Sequence, residues 1–382
     1  MPPVQTALRG AVRLDAVRPE GVSEAAMRIY DAAIVIDAHN DMAARVLDSG
    51  YDPDVRHPAG FEDGQGHIDL PRIVESGVTA LWMAAWVDAT YARAVPDGSY
   101  AQAQREVEVV RAWVDRHPGA LVFATTAADV VRAKRAGRVA ILIGVEGGHA
   151  IENSLERLQE LYARGVRYLT LTWNNGNDWA GSSIGVEGTR TGGLTAFGET
   201  VIREMNRLGM LVDVSHVSSA TLADVLRVST APIVATHSCA RALNDHPRNL
   251  TDAELRAIAA AGGVINVNFY SRFLDPVYLA AAKDLDGRAA RKQAAMLPVT
   301  PLSVLVDHID HIAQVAGIDH AGLGSDFDGI SALPKDMQDI TALPRLAQAL
   351  LDRGYAAADI SKILGGNMLR LMGAVPGAPR SL

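Results

Sequence analysis

The sequence predicts an α/β protein folded as a (β/α)8 TIM-type barrel. Short apolar runs rich in β-branched residues recur eight times along the 382-residue chain, and amphipathic segments separate them. The runs are continuously apolar, as expected of strands that are buried on both faces of a parallel sheet. Eight strands that alternate with helices over about 350 residues indicate a barrel. The predicted strands span residues 33–37, 78–87, 139–145, 168–172, 211–214, 232–236, 263–267 and 321–324.

Helix signals between these strands support the same architecture. Ser154 precedes one apolar period, and Thr251 with Glu254 forms a capping-box pattern at the start of another. Gly209 and Gly317 stand where two of the helices are expected to end. The predicted helices span residues 99–117, 154–164, 195–208, 219–227, 252–260 and 302–315.

A doubly wound open sheet is the competing architecture. Its nucleotide-binding versions lack support, because no GxGxxG follows the first strand and no GxxxxGK[ST] is present. We expect one barrel domain over residues 31–375, an N-terminal extension or helix over 1–30, and a tail over 376–382. Two stretches without a clear element, 49–70 and 271–300, follow the first and seventh strands and could form loops over a site.

Composition limits the classes of partner. The formal net charge is −8 and no Lys/Arg cluster is present, which argues against a nucleic-acid partner. No apolar run reaches the roughly 18 to 20 residues needed to span a bilayer, so no membrane partner is expected. The lone cysteine, Cys239, excludes an intramolecular disulfide and fits a reducing compartment. With no apolar secretory segment visible at the N-terminus, we expect a cytoplasmic protein.

Histidine and carboxylate side chains follow five of the predicted strands. The C-terminal ends of all strands in a barrel lie on one face, where active sites are found. Imidazoles and carboxylates suit zinc and other divalent ions. The residues are His39 and Asp41 after the first strand, Glu146 after the third, His216 after the fifth, His237 after the sixth and Asp326 after the eighth.

The spacing and number of these residues predict a two-metal site. Residues i and i+2 of an extended chain point the same way, so His39 and Asp41 can reach one ion. Six ligands exceed the needs of one tetrahedral ion and suit two ions about 3.5 to 4 Å apart that share a carboxylate. Each residue taken singly also fits a structural role, but all six together would need five unrelated explanations. Asp37 lies deeper in the strand, where we expect a supporting or structural role.

Other polar residues receive simpler interpretations. His149 is a candidate for a hydrogen bond to a metal ligand. Cys239 lies near His237, but a Cys/His nucleophile is disfavoured because small buried cysteines are common and this histidine serves better as a ligand. The remaining histidines are expected on exposed loops and helix faces: His57, His67, His117, His246, His308, His311 and His320.

Six segments in order resemble the membrane (renal-type) dipeptidase family, peptidase family M19, a branch of the amidohydrolase superfamily. They are IDAHNDM, GVEGGHAIEN, GGLTAFGETVIREMNRLGMLVDVSHVS, THSCARALNDHPRNL, HIDHIAQVAGIDHAGLGSDFDG and GGNMLRLM. Together they run from about residue 33 to 372. The resemblance implies a barrel with two zinc ions, a small dipeptide substrate with a D-residue accepted at its C-terminal position, and a homodimer.

The resemblance also implies a role for each site residue. His39 and Asp41 match ligands of the first ion, Glu146 matches the bridging carboxylate, and His216 and His237 match ligands of the second ion. Asp326 matches the acid/base that takes a proton from a metal-bridging hydroxide and passes it to the leaving amine. Arg248 matches the arginine that pairs with the terminal carboxylate of the dipeptide, for which its planar fork is suited.

One position departs from the family pattern. Trp173 stands where the family usually has a histidine that contacts the scissile region and helps to stabilise the oxyanion. Indole donates one hydrogen bond and carries no positive charge. Either a metal ion or a neighbour such as Asn174 or Asn177 compensates, or the substrate is another small amide. A homologue that binds metal without catalysis is a third alternative, against which the presence of Asp326 argues.

Overall fold

The computed structural model describes residues 16–91, 98–185, 189–190, 192–285, 293 and 296–375. The first half of the N-terminal extension and the whole tail predicted from the sequence lie outside this part of the chain. The helix α1 (Glu24–Ala32) spans position 31, where the sequence places the start of the barrel domain. Met27 and Tyr30 of α1 are buried in the main apolar core, so this helix packs as part of the barrel's outer layer.

Eight parallel strands form a nearly closed barrel in the order β1-β2-β4-β5-β6-β7-β8-β9. A parallel bridge between Asn40 and Phe327 links β1 to the residues that follow β9. This confirms the predicted (β/α)8 fold. The described strands are β1 (Ile36–Asn40), β2 (Ala80–Trp86), β3 (Leu121–Phe123), β4 (Val139–Glu146), β5 (Val166–Thr170), β6 (Leu211–Asp213), β7 (Val234–Ala235), β8 (Val264–Val267) and β9 (Ala321–Leu323).

Each predicted strand overlaps one strand of the barrel, and two details differ. The first strand begins at Ile36 and continues to Asn40, so His39 lies within it rather than beyond its end. The three-residue strand β3, which the sequence analysis missed, pairs with Val139–Ile141 outside the barrel circle. A three-residue run offers too few positions for a periodic signal, which explains the omission.

The helices surround the barrel, and the predicted caps are in place. Ser154 accepts a hydrogen bond from Arg157 N, and Thr251 with Glu254 forms a complete capping box. The remaining α-helices among the described residues are α2 (Met42–Ser49), α3 (Leu70–Ser76), α4 (Gly98–Arg116), α5 (Ala127–Arg135), α6 (Leu155–Ala163), α7 (Ala196–Leu208), α8 (Ser219–Val228), α9 (Asp252–Ala260), α10 (Ser271–Leu274), α11 (Pro276–Ala281), α12 (Leu302–Ala316), α13 (Pro344–Asp352), α14 (Ala357–Ser361) and α15 (Asn367–Ala374).

Two apolar layers hold the elements together. The larger lies between the strands and the surrounding helices. The smaller one fills the barrel interior with alternate strand residues such as Trp82, Leu142 and Tyr168, and it includes Met368 and Leu371 of α15. This interior packing leaves the C-terminal ends of the strands for polar side chains.

Three of the histidines expected on exposed surfaces are buried instead, so that prediction was wrong for His67, His246 and His308. In each, Nδ1 faces a backbone N–H, at 2.9 to 3.1 Å. Backbone N–H groups in buried loops need hydrogen-bond acceptors because water cannot reach them. The unprotonated nitrogen of a neutral imidazole is such an acceptor.

Candidate active site

Closure of the barrel brings His39, Asp41 and Asp326 together. Asp326 N donates to His39 O at 3.0 Å, and Asp41 N donates to Phe327 O at 2.9 Å. The His39 Nε2 and Asp41 Oδ2 atoms lie 3.6 Å apart, although Asp41 is the N-cap residue of helix α2 and is not extended. One ligand atom from each of His39, Asp41 and Asp326 falls within 4.8 Å of the other two. His39 and Asp41 therefore lie close together as predicted. They do so through a turn of the backbone at Asp41, whereas the prediction assumed an extended strand.

Glu146, the last residue of β4, lies between the histidines. Its Oε1 is 2.9 Å from His216 Nε2 and 3.4 Å from His237 Nε2. Its Oε2 is 3.6 Å from His39 Nε2. The two carboxylate oxygens of Glu146 therefore face different histidines. All six side chains predicted to form the centre thus lie at one end of the barrel.

Neighbouring oxygen atoms orient the three histidines. Each imidazole has its Nδ1 against an oxygen, which leaves its Nε2 directed toward Glu146. Such outer partners fix the ring and the tautomer of metal-binding histidines. The pairs are Tyr168 with His39 at 3.0 Å, Thr236 with His237 at 2.9 Å and Asn174 with His216 at 3.2 Å.

A buried carboxylate that the sequence analysis missed supports this arrangement. Asp213 accepts hydrogen bonds from Thr170 Oγ1 at 2.5 Å and from Thr236 Oγ1 at 2.6 Å. Its other oxygen accepts from the backbone N–H groups of Ser215 and Thr236, each at 3.0 Å. Asp213 therefore joins β5, β6 and the end of β7 directly beneath His216 and His237. An aspartate inside the apolar run LVDV is the signal that could have revealed it.

Two site residues have a left-handed backbone. His216 has φ of 67° and Asp326 has φ of 62°. This region is uncommon for residues other than glycine and costs of order 1 to 3 kcal/mol each. Strain of this kind is typical of functional positions, and here it turns both side chains from their strand ends toward the cluster.

The unpartnered atoms of the cluster fit a cation. Within the described part of the chain, His39 Nε2 and Asp41 Oδ1 are buried without a hydrogen-bond partner. A buried polar atom left in this state costs about 1 to 3 kcal/mol. A metal ion would satisfy both atoms, and a donor set of imidazoles and carboxylates matches borderline divalent ions. The residues present therefore fit a metal centre.

Comparisons with known proteins agree with this geometry. Residues 23–381 match the family described as membrane dipeptidase (peptidase family M19). The chain belongs to the membrane dipeptidase family. Its fold is similar to that of the probable dipeptidase PvdM from Pseudomonas aeruginosa, with 26% identity, a TM-score of 0.83 and 94% and 99% of the two chains covered.

Two further structures extend the comparison. A metallopeptidase described as dipeptidase AC shares 30% identity over 91% of this chain and 99% of its own, with a TM-score of 0.75. A metallopeptidase from Rhodobacter sphaeroides, liganded with a phosphinate mimic of the dipeptide L-Ala-D-Ala, shares 29% identity over 90% and 100%, with a TM-score of 0.74. The family and the metallo-dipeptidase class predicted from the sequence are confirmed. Among the described residues, no helix combines the length and apolar character needed to cross a membrane.

The charges in this dipeptidase-family site are strongly coupled. Burial lowers the pKa of His216 to about 4 and the pKa of His237 well below its ordinary value, which favours the neutral, metal-binding imidazole. For His39, burial acts in the same direction, but the Glu146 and Asp41 carboxylates outweigh it and raise the pKa. Burial, followed by repulsion from Asp41, raises the pKa of Asp326 well above its usual range. A carboxyl group with a raised pKa can carry a proton near neutral pH.

Asp326 is held from two sides. Asn268 Nδ2 donates to Asp326 Oδ2 at 2.8 Å. Asp37 accepts from the N–H and the hydroxyl of Ser325, each at 2.7 Å, and so fixes the residue before Asp326. The supporting role expected for Asp37 is confirmed, since it ties β1 to the segment after β9.

Arg248 lies against the second half of the cluster. The guanidinium is buried, with Nη2 donating to His237 O at 3.0 Å and Nη1 to Ser238 Oγ at 3.5 Å. Its Nε has no hydrogen-bond partner among the described residues. Arg248 and His216 both line a cavity of about 390 Å³ beside the cluster. The Arg248 guanidinium can therefore bind a small anionic group inside this cavity.

The residues expected to replace the family histidine have other contacts. Trp173 is half-buried and packs edge-on against Trp86, with ring centres 5.0 Å apart. Asn174 orients His216, as described above. Asn177 is used within its own loop, where Nδ2 donates to Leu171 O and Oδ1 accepts from two backbone N–H groups.

Two alternatives are not supported by their contacts. His149 Nε2 lies 2.9 Å from Val87 O and its Nδ1 lies 3.5 Å from Asn175 Nδ2, so the contacts found are not to a proposed metal ligand. Cys239 donates to Asn268 O, and burial raises the pKa of its thiol to about 12. The reactive thiolate is therefore disfavoured at neutral pH.

Proposed function

We propose that the protein is a dinuclear zinc dipeptidase that hydrolyses the amide bond of dipeptides and accepts a D-residue at the C-terminal position. The observation that carries this proposal is Glu146, whose two oxygens face different histidines of one buried cluster. The Rhodobacter sphaeroides structure, which holds a mimic of L-Ala-D-Ala, supports the choice of substrate.

In this proposal the two ions have distinct ligands. His39 and Asp41 would hold one ion, His216 and His237 would hold the other, and Glu146 would contact both. Zinc ions in such a site lower the pKa of water and polarise a carbonyl oxygen. Other divalent ions with similar ligand preferences could occupy the same donors.

The chain's own side chains then perform three tasks. Arg248 binds the terminal carboxylate of the dipeptide and so positions the amide carbonyl beside the cluster. Asp326 accepts the proton of the attacking water and delivers it to the amide nitrogen as the bond breaks. Trp173 and Asn174 lie after β5, where they would shape the pocket around the residue that precedes the scissile bond.

The variant Asp326→Asn tests the proton-transfer role. Asparagine keeps the side-chain shape and can still pair with Asn268, but it cannot accept and release a proton. We expect kcat for a good dipeptide to fall by about 10² to 10⁴, because general acid–base catalysis contributes on that order. Zinc content, measured on the same samples, should change little. A variant that retains zinc and turns over at the parent rate would rule out this role for Asp326.

Location and assembly form a separate part of the proposal. We propose a cytoplasmic homodimer of single-domain subunits. The buried, unpaired Cys239 supports a reducing compartment. Light scattering on the purified full-length chain would give the mass of a dimer if the assembly is correct and that of one subunit if it is not.

A further inference from the structure

A cavity beside the metal cluster has features that the proposed reaction does not require. Its volume is about 390 Å³, and we call it the Arg241 pocket. The polar and charged side chains in its wall include five serines, two arginines and one glutamate, while its apolar wall includes Val214 and Leu222. Those that bear on charge are Ser183, Ser218, Ser219, Arg241, Arg248 and Glu254.

The balance of charge in the Arg241 pocket is positive. Among the described residues that line it, Arg241 and Arg248 contribute two guanidinium groups and Glu254 contributes one carboxylate. That carboxylate is already engaged at the start of α9, where it accepts from the N–H and the hydroxyl of Thr251 at 2.7 and 2.9 Å. The described charged side chains of the pocket wall therefore sum to a net positive charge.

Arg241 retains unused donor capacity. Its Nη2 donates to Pro247 O at 2.9 Å, which holds the side chain in the loop that leads to Arg248. Its Nε is buried and has no hydrogen-bond partner within the described chain. A guanidinium presents its donors as a planar fork, which suits bidentate pairing with a carboxylate.

Another part of the pocket wall also favours an anion. The N-terminal end of the ten-residue helix α8, with Ser218 as its cap and Ser219 as its first residue, lines the pocket. Helix N-termini carry a partial positive charge and attract anionic groups. Ser183 Oγ, in the same wall, is buried without a hydrogen-bond partner among the described residues.

We infer that the Arg241 pocket binds a second carboxylate, so that the preferred substrates are dipeptides with aspartate or glutamate at the C-terminal position. The inference rests on the proposed function, in which Arg248 takes the terminal carboxylate. Because Arg241 and Arg248 line one cavity, the side chain of the residue held by Arg248 can extend toward Arg241. Arg241 would then be a specificity-determining residue.

The test compares isosteric pairs of substrates on the zinc-loaded full chain. The kcat/KM for Ala-D-Glu is divided by that for Ala-D-Gln, and the same ratio is measured for Ala-D-Asp against Ala-D-Asn and for the L series. We expect the better acidic substrate to be favoured about tenfold to hundredfold, as a charge-assisted hydrogen bond would provide. Ratios near one for every pair would overturn the inference.

Variants at Arg241 assign the preference to that residue. Arg241→Gln keeps a donor for Pro247 O and removes the charge, so the ratio should fall to near one. Arg241→Lys restores the charge and should recover part of the ratio. Arg256→Gln is the matched control, because Arg256 is an exposed arginine of α9 that is not among the residues lining the pocket. A ratio that survives in Arg241→Gln would overturn the assignment.

Failure of the inference is distinguishable from failure of the proposed function. Hydrolysis of neutral dipeptides without an acidic preference would refute the inference and leave the dipeptidase function intact. If no dipeptide is cleaved, calorimetry with glutarate and butyrate gives an independent reading. Tighter binding of glutarate that is lost in Arg241→Gln supports the second carboxylate site, and equal binding of the two probes refutes it.

Discussion

At the scale of single residues, the site depends on a glycine that the Asp41 and Asp326 carboxylates approach closely, as well as on the carboxylates themselves. Gly329 follows the acidic segment Asp326–Asp328, and a Cβ atom at this position would lie 2.0 Å from Asp41 Oδ2 and 2.5 Å from Asp326 Oδ1. Those separations are well below van der Waals contact, so a side chain here must displace one or both carboxylates. The proposed first metal position would thus require Gly329, which ligand motifs alone do not reveal.

Gly329→Ala should therefore impair metal binding. We expect the variant to lose about one zinc ion per chain when measured by mass spectrometry of metals after dialysis, because Asp41 can no longer reach the ion held with His39. Gly373→Ala is the matched control, since a Cβ there meets nothing within 4 Å. Equal zinc content in Gly329→Ala and the control would contradict the requirement for glycine at position 329.

At the scale of elements, buried histidines connect helices and loops around the barrel. His308 of α12 lies with Nδ1 3.1 Å from Ala240 N and Nε2 2.9 Å from Leu274 O. The imidazole accepts at one nitrogen and donates at the other, so it must be neutral. Burial lowers the pKa of His308 to about 4. Protonation would break the bond from Ala240 and charge a group that is shielded from water.

This arrangement predicts a pH-dependent stability. The folded pKa of about 4 lies below the unfolded value of about 6.5, so the unfolded chain binds the extra proton first. The contribution of His308 is fully present above pH 6.5 and is lost as pH falls from 6.5 toward 4, by about 3 kcal/mol at most. Urea unfolding of wild type and His308→Asn across this range should show a shallower loss in the variant. Parallel curves would refute the role of His308.

At the scale of the whole molecule, the order of the strands and the strand ends that carry ligands were predictable. Continuous apolar runs and helix caps are local signals, which is why the eight barrel strands and helices such as α8 and α9 were located. The contacts that were missed join residues far apart in the sequence. Asp213 accepts hydrogen bonds from Thr170 and Thr236, which belong to neighbouring strand ends. Asn174 contacts His216, 42 positions further along the chain, and no sequence period encodes that contact.

We propose that the activity of this dipeptidase needs two metal ions held by Glu146 and its neighbours. The most direct measurement is dipeptide hydrolysis by metal-free protein during titration with zinc. We predict no turnover without metal, then activity that rises and reaches a plateau at two equivalents per chain. A plateau at one equivalent would contradict the dinuclear site. Activity that is independent of zinc and of chelator would contradict the metal-dependent mechanism altogether.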